Sequence, residues 1–308
     1  MSKANFPVNP VLTAIAIAYR NRRMIADDVL PRTDVGKQEF KYLQHDLGEG
    51  FTVPKTIVGR TSRPNQVEFS ATELTASTED HALDAPVPVV DAKNAPANYD
   101  PDGRAVEQTI NLIELAREIR TAGLVFNEKS YVNGNVKTLS GNDQWTHDDS
   151  DPIRQLLEAL DAPIMRPNIM VLGQKAATAL RTNKKIIKAY NGTLGDSGLV
   201  PLEFLRELFE LDQILVGQTL VNTVNQAKKP VLANAWGGHC SLIYRDVLAD
   251  TQHGTTFGLT AQFGTREVRT IFDNDIGYRG GNRHRVGESV KELITAKDLG
   301  FFLKNVIA

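Results

Sequence analysis

The longest regular pattern of apolar positions in the chain runs through residues 100–123. Apolar side chains recur there every three or four residues, as in a helix with one buried side. The pattern predicts one long helix, called the spine helix below, with Asp100 capping its first amides and Gly123 ending it. Its expected buried side combines the ridge Val106, Ile110, Ile113 and Arg117 with the neighbouring stripe Leu112, Leu115, Ala116, Ile119 and Ala122.

The chain before the spine helix has an extended pattern. Residues 1–38 carry three prolines and predict an arm with one short helix from residue 10 to about 24. Residues 39–90 predict a long hairpin: strands begin near residue 40, continue over 51–58 and return over 67–83. A two-stranded ribbon with few large apolar residues is marginal by itself. We therefore expect the hairpin to lie on a neighbouring copy of the chain.

The chain after the spine helix has the pattern of a compact α/β region. Residues 131–149 are polar and rich in turn signals. The helices predicted after them span 152–160, 174–181, 183–190 and 201–209. The predicted strands span 169–172, 214–221, 239–244, 268–272, 285–290 and 300–307. Loops are expected at 191–198 and 225–230, together with a glycine-rich loop at 277–285.

Composition narrows the class of protein. The chain has 308 residues and a formal net charge of −2, whereas dedicated nucleic-acid binding normally requires a strongly basic surface. Cys240 is the single cysteine, which excludes an intrachain disulfide and favours a reducing compartment. The apolar run at 11–19 is about half as long as a membrane span, so we expect no membrane partner.

Charges are unevenly distributed over the first third of the chain. Three arginines near the arm helix, Arg20, Arg22 and Arg23, are expected either to grip a partner or to form a solvated face on their own subunit. Residues 52–66 carry only basic charges, namely Lys55, Arg60 and Arg63. Residues 68–102 are acidic and include Glu73, Glu79 and Asp80. This separation indicates either solvated loops or a basic tip that lies over the acidic stretch of the next copy.

The candidates for chemistry are weak. Residues 195–198 look like the nucleophile segment of trypsin-like proteases, but His239 follows Ser197 instead of preceding it, and a mobile loop is the better interpretation. The acidic groups at 147–151 and 273–277 are more typical of solvated turns than of cation sites. We expect no catalytic residue, metal or cofactor. The loop at 277–285, with Arg279, Arg283 and Arg285, is expected either to contact phosphate or to ring a symmetry axis.

The order of these segments is specific even though each motif alone is weak. The segments PDGRAVEQTINLIELAREIRTAGLVFN, SDPIRQLLEALDAPIMRPNIMVLGQKAATALR, LDQILVGQTLVNT and HCSLIYR resemble a tailed-phage major capsid protein over residues 9–306. The resemblance implies an α+β chain with the Hong Kong phage-type capsid fold. Its expected parts are an N-terminal arm (1–38), an extended β-hairpin loop (39–90), a peripheral domain with the spine helix (91–150 and 262–308) and an axial α/β domain (151–261).

The function implied by this resemblance is structural. The chain is expected to self-assemble into pentamers and hexamers that form the icosahedral head of a double-stranded DNA bacteriophage, assembled in the host cytoplasm. Implied partners are a scaffolding protein that is separate unless this sequence is already processed, a portal, a decoration protein, and packaged DNA bound without sequence specificity. Some members of the family cross-link their subunits through a lysine of the extended loop. Lys55 is a possible match to that lysine, but we do not predict cross-linking for this chain. The alternatives are an encapsulin-like nanocompartment shell and, further away, a hydrolase that uses Ser197.

Overall fold

The computed structural model describes residues 8–18, 23–45, 51–67, 71–192, 195, 197–224 and 229–308. Within these ranges it contains eight α-helices and thirteen strands. The helices are α1 (Pro10–Ala18), α2 (Ala26–Val29), α3 (Val89–Asn94), α4 (Pro101–Val125), α5 (Pro152–Asp161), α6 (Gln174–Thr182), α7 (Lys184–Asn191) and α8 (Leu202–Leu208). The strands are β1 (Arg32–Val35), β2 (Glu39–His45), β3 (Ala71–Ser77), β4 (Glu79–Pro88), β5 (Val136–Thr138), β6 (Ile169–Gly173), β7 (Gln213–Gly217), β8 (Leu220–Asn222), β9 (Leu232–Asn234), β10 (Cys240–Ile243), β11 (Gly258–Asp273), β12 (Gly281–Ile294) and β13 (Gly300–Lys304).

The spine helix is α4, and its predicted start is confirmed. The Asp100 side chain accepts a hydrogen bond from the Asp102 amide at 3.1 Å, and Pro101 occupies the first turn. The predicted end at Gly123 is wrong, because the helix continues to Val125 and closes with a bond from Phe126 N to Ala122 O. Ala122 and Val125 are buried, so packing of this last turn outweighs the weak helix propensity of glycine.

The predicted buried side of the spine helix is only half correct. The ridge Val106, Ile110, Ile113 and Arg117 is buried, as expected. Most of the neighbouring stripe is not covered: Leu112 is 54% exposed, Ile119 is 43% exposed, and Ala116 is also exposed. The apolar pattern is therefore wider than the surface that the chain itself covers. We call the uncovered side the outer face of the spine helix.

The inner side of the spine helix packs on a four-stranded sheet with the order β1-β11-β12-β4, formed by described residues. Strands β11 and β12 make a long antiparallel hairpin, and β1 joins β11 in parallel. Helix α1 lies against both the hairpin and the spine helix through Leu12 and Ala16. The predicted strands at 268–272 and 285–290 are parts of this longer hairpin: the first lies at the turn end of β11 and the second in the middle of β12.

The glycine-rich loop predicted at 277–285 is shorter than expected. Strand β12 begins at Gly281, so Arg283 and Arg285 belong to a strand, and only Arg279 remains in the turn. The turn uses positive φ angles at Gly277 and Gly280, +59° and +72°, which glycine adopts without steric cost. Arg283 and Arg285 lie opposite Ile271 and Arg269 of β11, so strand pairing continues into the segment predicted as a loop.

The α/β region is built on a second sheet, with the order β5-β13-β10-β6-β7 among the described residues. Helices α5, α6, α7 and α8 lie within two residues of their predicted bounds, and they cover a core that includes Trp145, Leu156 and Phe209. The single strand predicted at 214–221 is two strands, β7 and β8, because the chain leaves the sheet after Gly217 and pairs again with β9. Cys240 is buried in the central strand β10.

The long hairpin predicted at 39–90 is shorter than expected. Strands β2 and β3 form an isolated two-stranded ribbon, but β4 leaves it and pairs with β12. The strand predicted over 51–58 is wrong: residues 51–67 form no strand, and every one of them is exposed. Pro54 and Pro64 lack an amide donor, and Gly59 adds conformational freedom, so this segment favours an irregular path. Across the described residues, no helix has both the length and the apolar content needed to cross a bilayer.

Candidate functional site

The N-terminal segment is held on the spine helix by a group of charged side chains that we call the anchor network. Its arginines come from β1, α4 and β11, and its carboxylates come from α2, α4 and β12. The members are Asp27, Arg32, Glu114, Arg117, Arg120, Arg266, Glu288 and Glu292, which carry four positive and four negative charges. Buried ions require this kind of balance, because an unpaired charge loses its hydration without compensation.

Arg117 is the most deeply buried arginine of the network, with a side chain that is 2% exposed. Its guanidinium donates to the Asp27 carboxylate, to Leu30 O at 3.2 Å and to Thr260 Oγ1 at 3.0 Å. Burial lowers the pKa of Arg117, and the neighbouring Arg32 lowers it further, while Asp27 opposes both effects. The side chain thus joins the spine helix to the N-terminal segment and to β11.

Glu288 is the second centre of the anchor network, with a side chain that is 1% exposed. It accepts hydrogen bonds from Arg32 at 2.9 Å and from Arg266 at 3.1 and 2.9 Å. Burial raises the pKa of Glu288, but Arg32 and Arg266 outweigh it and lower the pKa overall. Arg266 also donates to Ala16 O at 3.1 Å, which fixes the end of α1 on the sheet.

Glu118, one residue along the spine helix from Arg117, is completely buried. Its carboxylate accepts hydrogen bonds from Ile25 N at 3.0 and 3.1 Å, from Ala26 N at 2.8 Å and from Trp236 Nε1 at 2.6 Å. Burial raises the pKa of Glu118, and the hydrogen bonds from these donors oppose the rise. The group therefore connects the spine helix to two separate parts of the chain.

The basic tip predicted from the sequence lies in the fully exposed segment 51–67. Lys55, Arg60 and Arg63 are exposed there beside large apolar side chains. Phe51, Val53 and Ile57 are 63%, 90% and 93% exposed, respectively. The segment is held locally by bonds from Asn65 Nδ2 to Lys55 O and from Ser62 N to Gly59 O. It thus presents cations and uncovered apolar groups together, a combination typical of a contact surface.

The acidic residues predicted to complement that tip have partners within their own chain. Glu73 pairs with Lys41 across the β2–β3 ribbon, and Glu79 pairs with Lys291 of β12. Asp80 accepts a hydrogen bond from Gln38 at 3.3 Å. These contacts are all at the surface, where a single ion pair contributes little to stability.

The other basic candidates separate into three groups. Arg20 and Arg22 lie outside the described residues, whereas the Arg23 carbonyl accepts a hydrogen bond from Thr219 Oγ1 at 3.0 Å. Arg283 pairs with Asp273, and Arg285 donates bidentate hydrogen bonds of 2.7 and 2.8 Å to the Asp84 carboxylate. Arg279 is exposed in the turn after β11, next to the fully exposed Tyr278.

Ser197 and His239 are the two residues considered for hydrolase chemistry. Ser197 is exposed, and residues 193, 194 and 196 beside it lie outside the described part of the chain. His239 Nδ1 accepts the Asn305 amide at 3.0 Å, and its ring packs against Phe126 and Phe302. Burial lowers the pKa of His239.

The acidic turns also contact lysine and arginine side chains. Asp148 pairs with Lys184 at 2.7 Å and Asp151 with Lys185 at 3.1 Å, while Asp273 contacts Arg283. In the ranges that the structure describes, no group of three or more His, Cys, Asp or Glu side chains is placed to hold a metal ion.

Sequence reasoning missed the anchor network, although one signal was present. Arg117 occupies a position on the buried ridge of the spine helix, and a buried arginine requires a buried acceptor. The acceptors Asp27 and Glu292 are remote in sequence, so no local spacing identifies them. Glu118 gave no signal at all, because its donors are two backbone amides and an indole.

Comparisons with known proteins agree with this architecture. Residues 131–234 match the family model described as phage major capsid protein E. The major capsid protein of Pseudomonas phage JBD67 is 62% identical over the full length of both chains, and that of Burkholderia phage BcepMu is 28% identical over 81% of this chain and 80% of its own.

Solved structures confirm the predicted fold class. A phage-related protein from Bordetella bronchiseptica superposes with a TM-score of 0.78 at 23% identity, covering 98% of each chain. The SrpI encapsulin of Synechococcus elongatus has a TM-score of 0.55 at 11% identity, covering 100% of this chain and 94% of its own. These likenesses concern the Hong Kong phage-type fold, which phage capsids and encapsulins share. The 62% identity over the whole length is decisive for the family: the chain belongs to the phage major capsid proteins.

Proposed function

We propose that the chain assembles into pentamers and hexamers that close into the icosahedral head of a tailed double-stranded DNA phage, and that its role is structural rather than catalytic. The observation that carries this proposal is the segment 51–67, in which every residue is exposed and several large apolar side chains have no cover. Burying one such side chain contributes about 1.5–3 kcal/mol. A neighbouring copy that covers the segment would gain this contribution several times over.

We propose that the outer face of the spine helix, together with the acidic stretch 68–102 before it, receives this segment from the next copy. Leu112 and Ile119 are exposed along this face, and a groove there is lined by Arg104, Glu107, Gln108, Asn111 and Leu112. Asp91 is exposed and lies in α3, a helix that packs on the spine helix. The apolar side chains of segment 51–67 would pack on the apolar side chains of the outer face, and Arg60 and Arg63 would pair with carboxylates. Charge pairing of this kind sets the orientation of the two copies more than their affinity.

The parts of the chain follow from the same proposal. The arm is 1–38, and the peripheral domain combines the spine helix with the β11–β12 hairpin. The axial domain proposed at 151–261 also takes in β5 and β13, because these strands share the second sheet with β6, β7 and β10. Because β4 pairs with β12, we place the end of the extended loop at Ser77, earlier than the sequence pattern suggested. Of the three arginines near the β11–β12 turn, Arg279 is the one we propose for contact at a symmetry axis or with packaged DNA, since Asp273 and Asp84 already engage the other two.

The chain is a component of the virion, and we further propose that it assembles in the host cytoplasm with a scaffolding protein, a portal and a decoration protein. The experiment is electron microscopy and sedimentation of the protein expressed with and without its neighbouring genes. Closed shells that take up DNA in the presence of a portal support the proposal. Shells that enclose a protein cargo would instead favour the encapsulin-like alternative, for which the shared fold is the supporting observation.

A variant tests the exposed segment directly. The triple substitution F51S/V53S/I57S removes the uncovered apolar groups, and T56S/T61S is the matched control in the same segment. Because the three side chains are at least 63% exposed, the unassembled chain should fold normally. We expect shells from the control and unassembled subunits from the triple variant. Equal yields of shells would contradict the proposed contact.

A further inference from the structure

Glu118 receives donors from two parts of the chain that are far apart in sequence. From the N-terminal segment, Ile25 and Ala26 donate their backbone amides. From the other side, Trp236 donates its indole N–H, and Thr219 Oγ1 lies 3.5 Å from Glu118 Oε1. All of these contacts are on the buried side of the spine helix, so one carboxylate serves both parts.

Thr219 and Trp236 stand at the base of the β8–β9 hairpin. The Ala235 amide donates to Thr219 O at 2.9 Å and closes this base, and Thr219 Oγ1 donates to Arg23 O at 3.0 Å. The hairpin and the N-terminal segment are therefore linked both directly and through Glu118. The hairpin exposes Leu220 at 50% and Leu232 at 59%.

The arm exposes apolar side chains as well. Val11 and Ile17 of α1 are 69% and 60% exposed, while Leu12 and Ala16 on the same helix are buried against the body. Helix α1 of the arm and the β8–β9 hairpin joined at Glu118 thus both present apolar surface outward. Their relative position decides whether the two surfaces can meet neighbouring copies at the same time.

We propose that Glu118 is a positioning residue that couples the N-terminal arm to the β8–β9 hairpin, so that a displacement of one element is transmitted to the other. The atoms around the carboxylate are donors, and the carboxylate can accept all of them. If either element moves away, a buried charge loses part of its compensation, which is costly in a site closed to water. Neither element can therefore move independently at low cost. The importance of this coupling for shell geometry rests on the proposed function, but the coupling itself does not.

Hydrogen exchange of the unassembled full chain tests the coupling. Glu118→Gln keeps the shape of the side chain but directs an amide NH₂ toward the donors that surround it. Glu107→Gln, on the exposed outer face of the same helix, is the matched control. In the E118Q variant we expect the amides of Ile25 and Ala26 to exchange roughly 10- to 100-fold faster. The amides of Leu220–Asn222 and Leu232–Asn234 should accelerate together with them.

Two further measurements separate coupling from a general loss of stability. The reference helices α6 and α7 should keep their exchange rates in the E118Q variant, because their buried side chains belong to a different hydrophobic cluster from Ile25 and Trp236. Thr219→Val, which removes only the hydroxyl between the hairpin and Arg23, should give the same paired acceleration with a smaller amplitude. It also serves as the test if E118Q does not fold.

Acceleration of only one element, or equal acceleration of the reference helices α6 and α7, would overturn the proposal. Because exchange is measured before assembly, this result is independent of whether the F51S/V53S/I57S variant forms shells.

Discussion

Replacing Arg117 by methionine should destabilise the unassembled chain by about 3 kcal/mol. Breaking a buried ion pair by removing one partner costs about 3–5 kcal/mol, because the other partner is left with uncompensated charge. Here three of the four former partners keep one donor: Asp27 retains Arg32 at 2.8 Å, Glu292 retains Arg120 at 2.9 Å, and Leu30 O retains Thr260 Oγ1 at 3.0 Å. The cost therefore falls at the lower end of the range.

The assay is urea unfolding of the unassembled chain, with midpoint and slope fitted separately. With a slope near 3 kcal/mol per molar urea, the midpoint should fall by roughly 1 M. Arg120→Met is the matched control, since its side chain is 29% exposed and also contacts Glu292. A partly exposed pair of this kind contributes at most about 1 kcal/mol. If both variants unfold at the same urea concentration, burial of Arg117 does not have the energetic role that its contacts indicate.

Three other perturbations follow from the same structure. R60E/R63E should weaken shell assembly at low salt relative to R60K/R63K, measured by sedimentation across a salt series; identical curves would argue against charge pairing between copies. Gly217→Ala places a Cβ 2.0 Å from a buried indole ring and should cost about 1–3 kcal/mol by thermal unfolding, whereas Gly134→Ala, with open space around it, should change little. Burial raises the pKa of Asp27, but the neighbouring arginines outweigh burial and lower the pKa from 3.8 to about 2. The contribution of Asp27 to stability is therefore present above pH 3.8 and is lost as the pH falls toward 2. The unfolding free energy of an Asp27→Asn variant should lack this pH dependence.

The sequence identified the spine helix because a helical period is a local property. The same period failed on the outer face, where Leu112 and Ile119 have the spacing of buried residues but are exposed in the single chain. A hydrophobic pattern predicts which side chains share a face. It does not indicate whether that face is buried by the same chain or by another copy. The error at these positions is therefore informative about assembly.

The anchor network was beyond prediction for a different reason. Arg32 and Glu288 are 256 positions apart, and Arg266 reaches back to Ala16 across 250 positions. Pairings of this kind are set by the topology of the four-stranded sheet, which brings β1 beside β11 and β12. Arg283 and Arg285 were misassigned for a related reason, because the glycines at 277–281 suggested a longer loop than the turn requires.

The two sides of the spine helix differ in the kind of contact they make, and this difference has a mechanical consequence. On the inner side, Arg117 and Glu118 hold the N-terminal segment through ions and directed hydrogen bonds, which have one favourable geometry. On the outer face, Leu112 and Ile119 offer apolar contact, which tolerates small changes of angle because dispersion and burial are not directional. In the proposed shell, the same surface serves five-fold and six-fold settings. Directional contacts within the subunit and the non-directional contacts proposed between copies would meet both requirements, since the body would keep its shape while the interface adjusts.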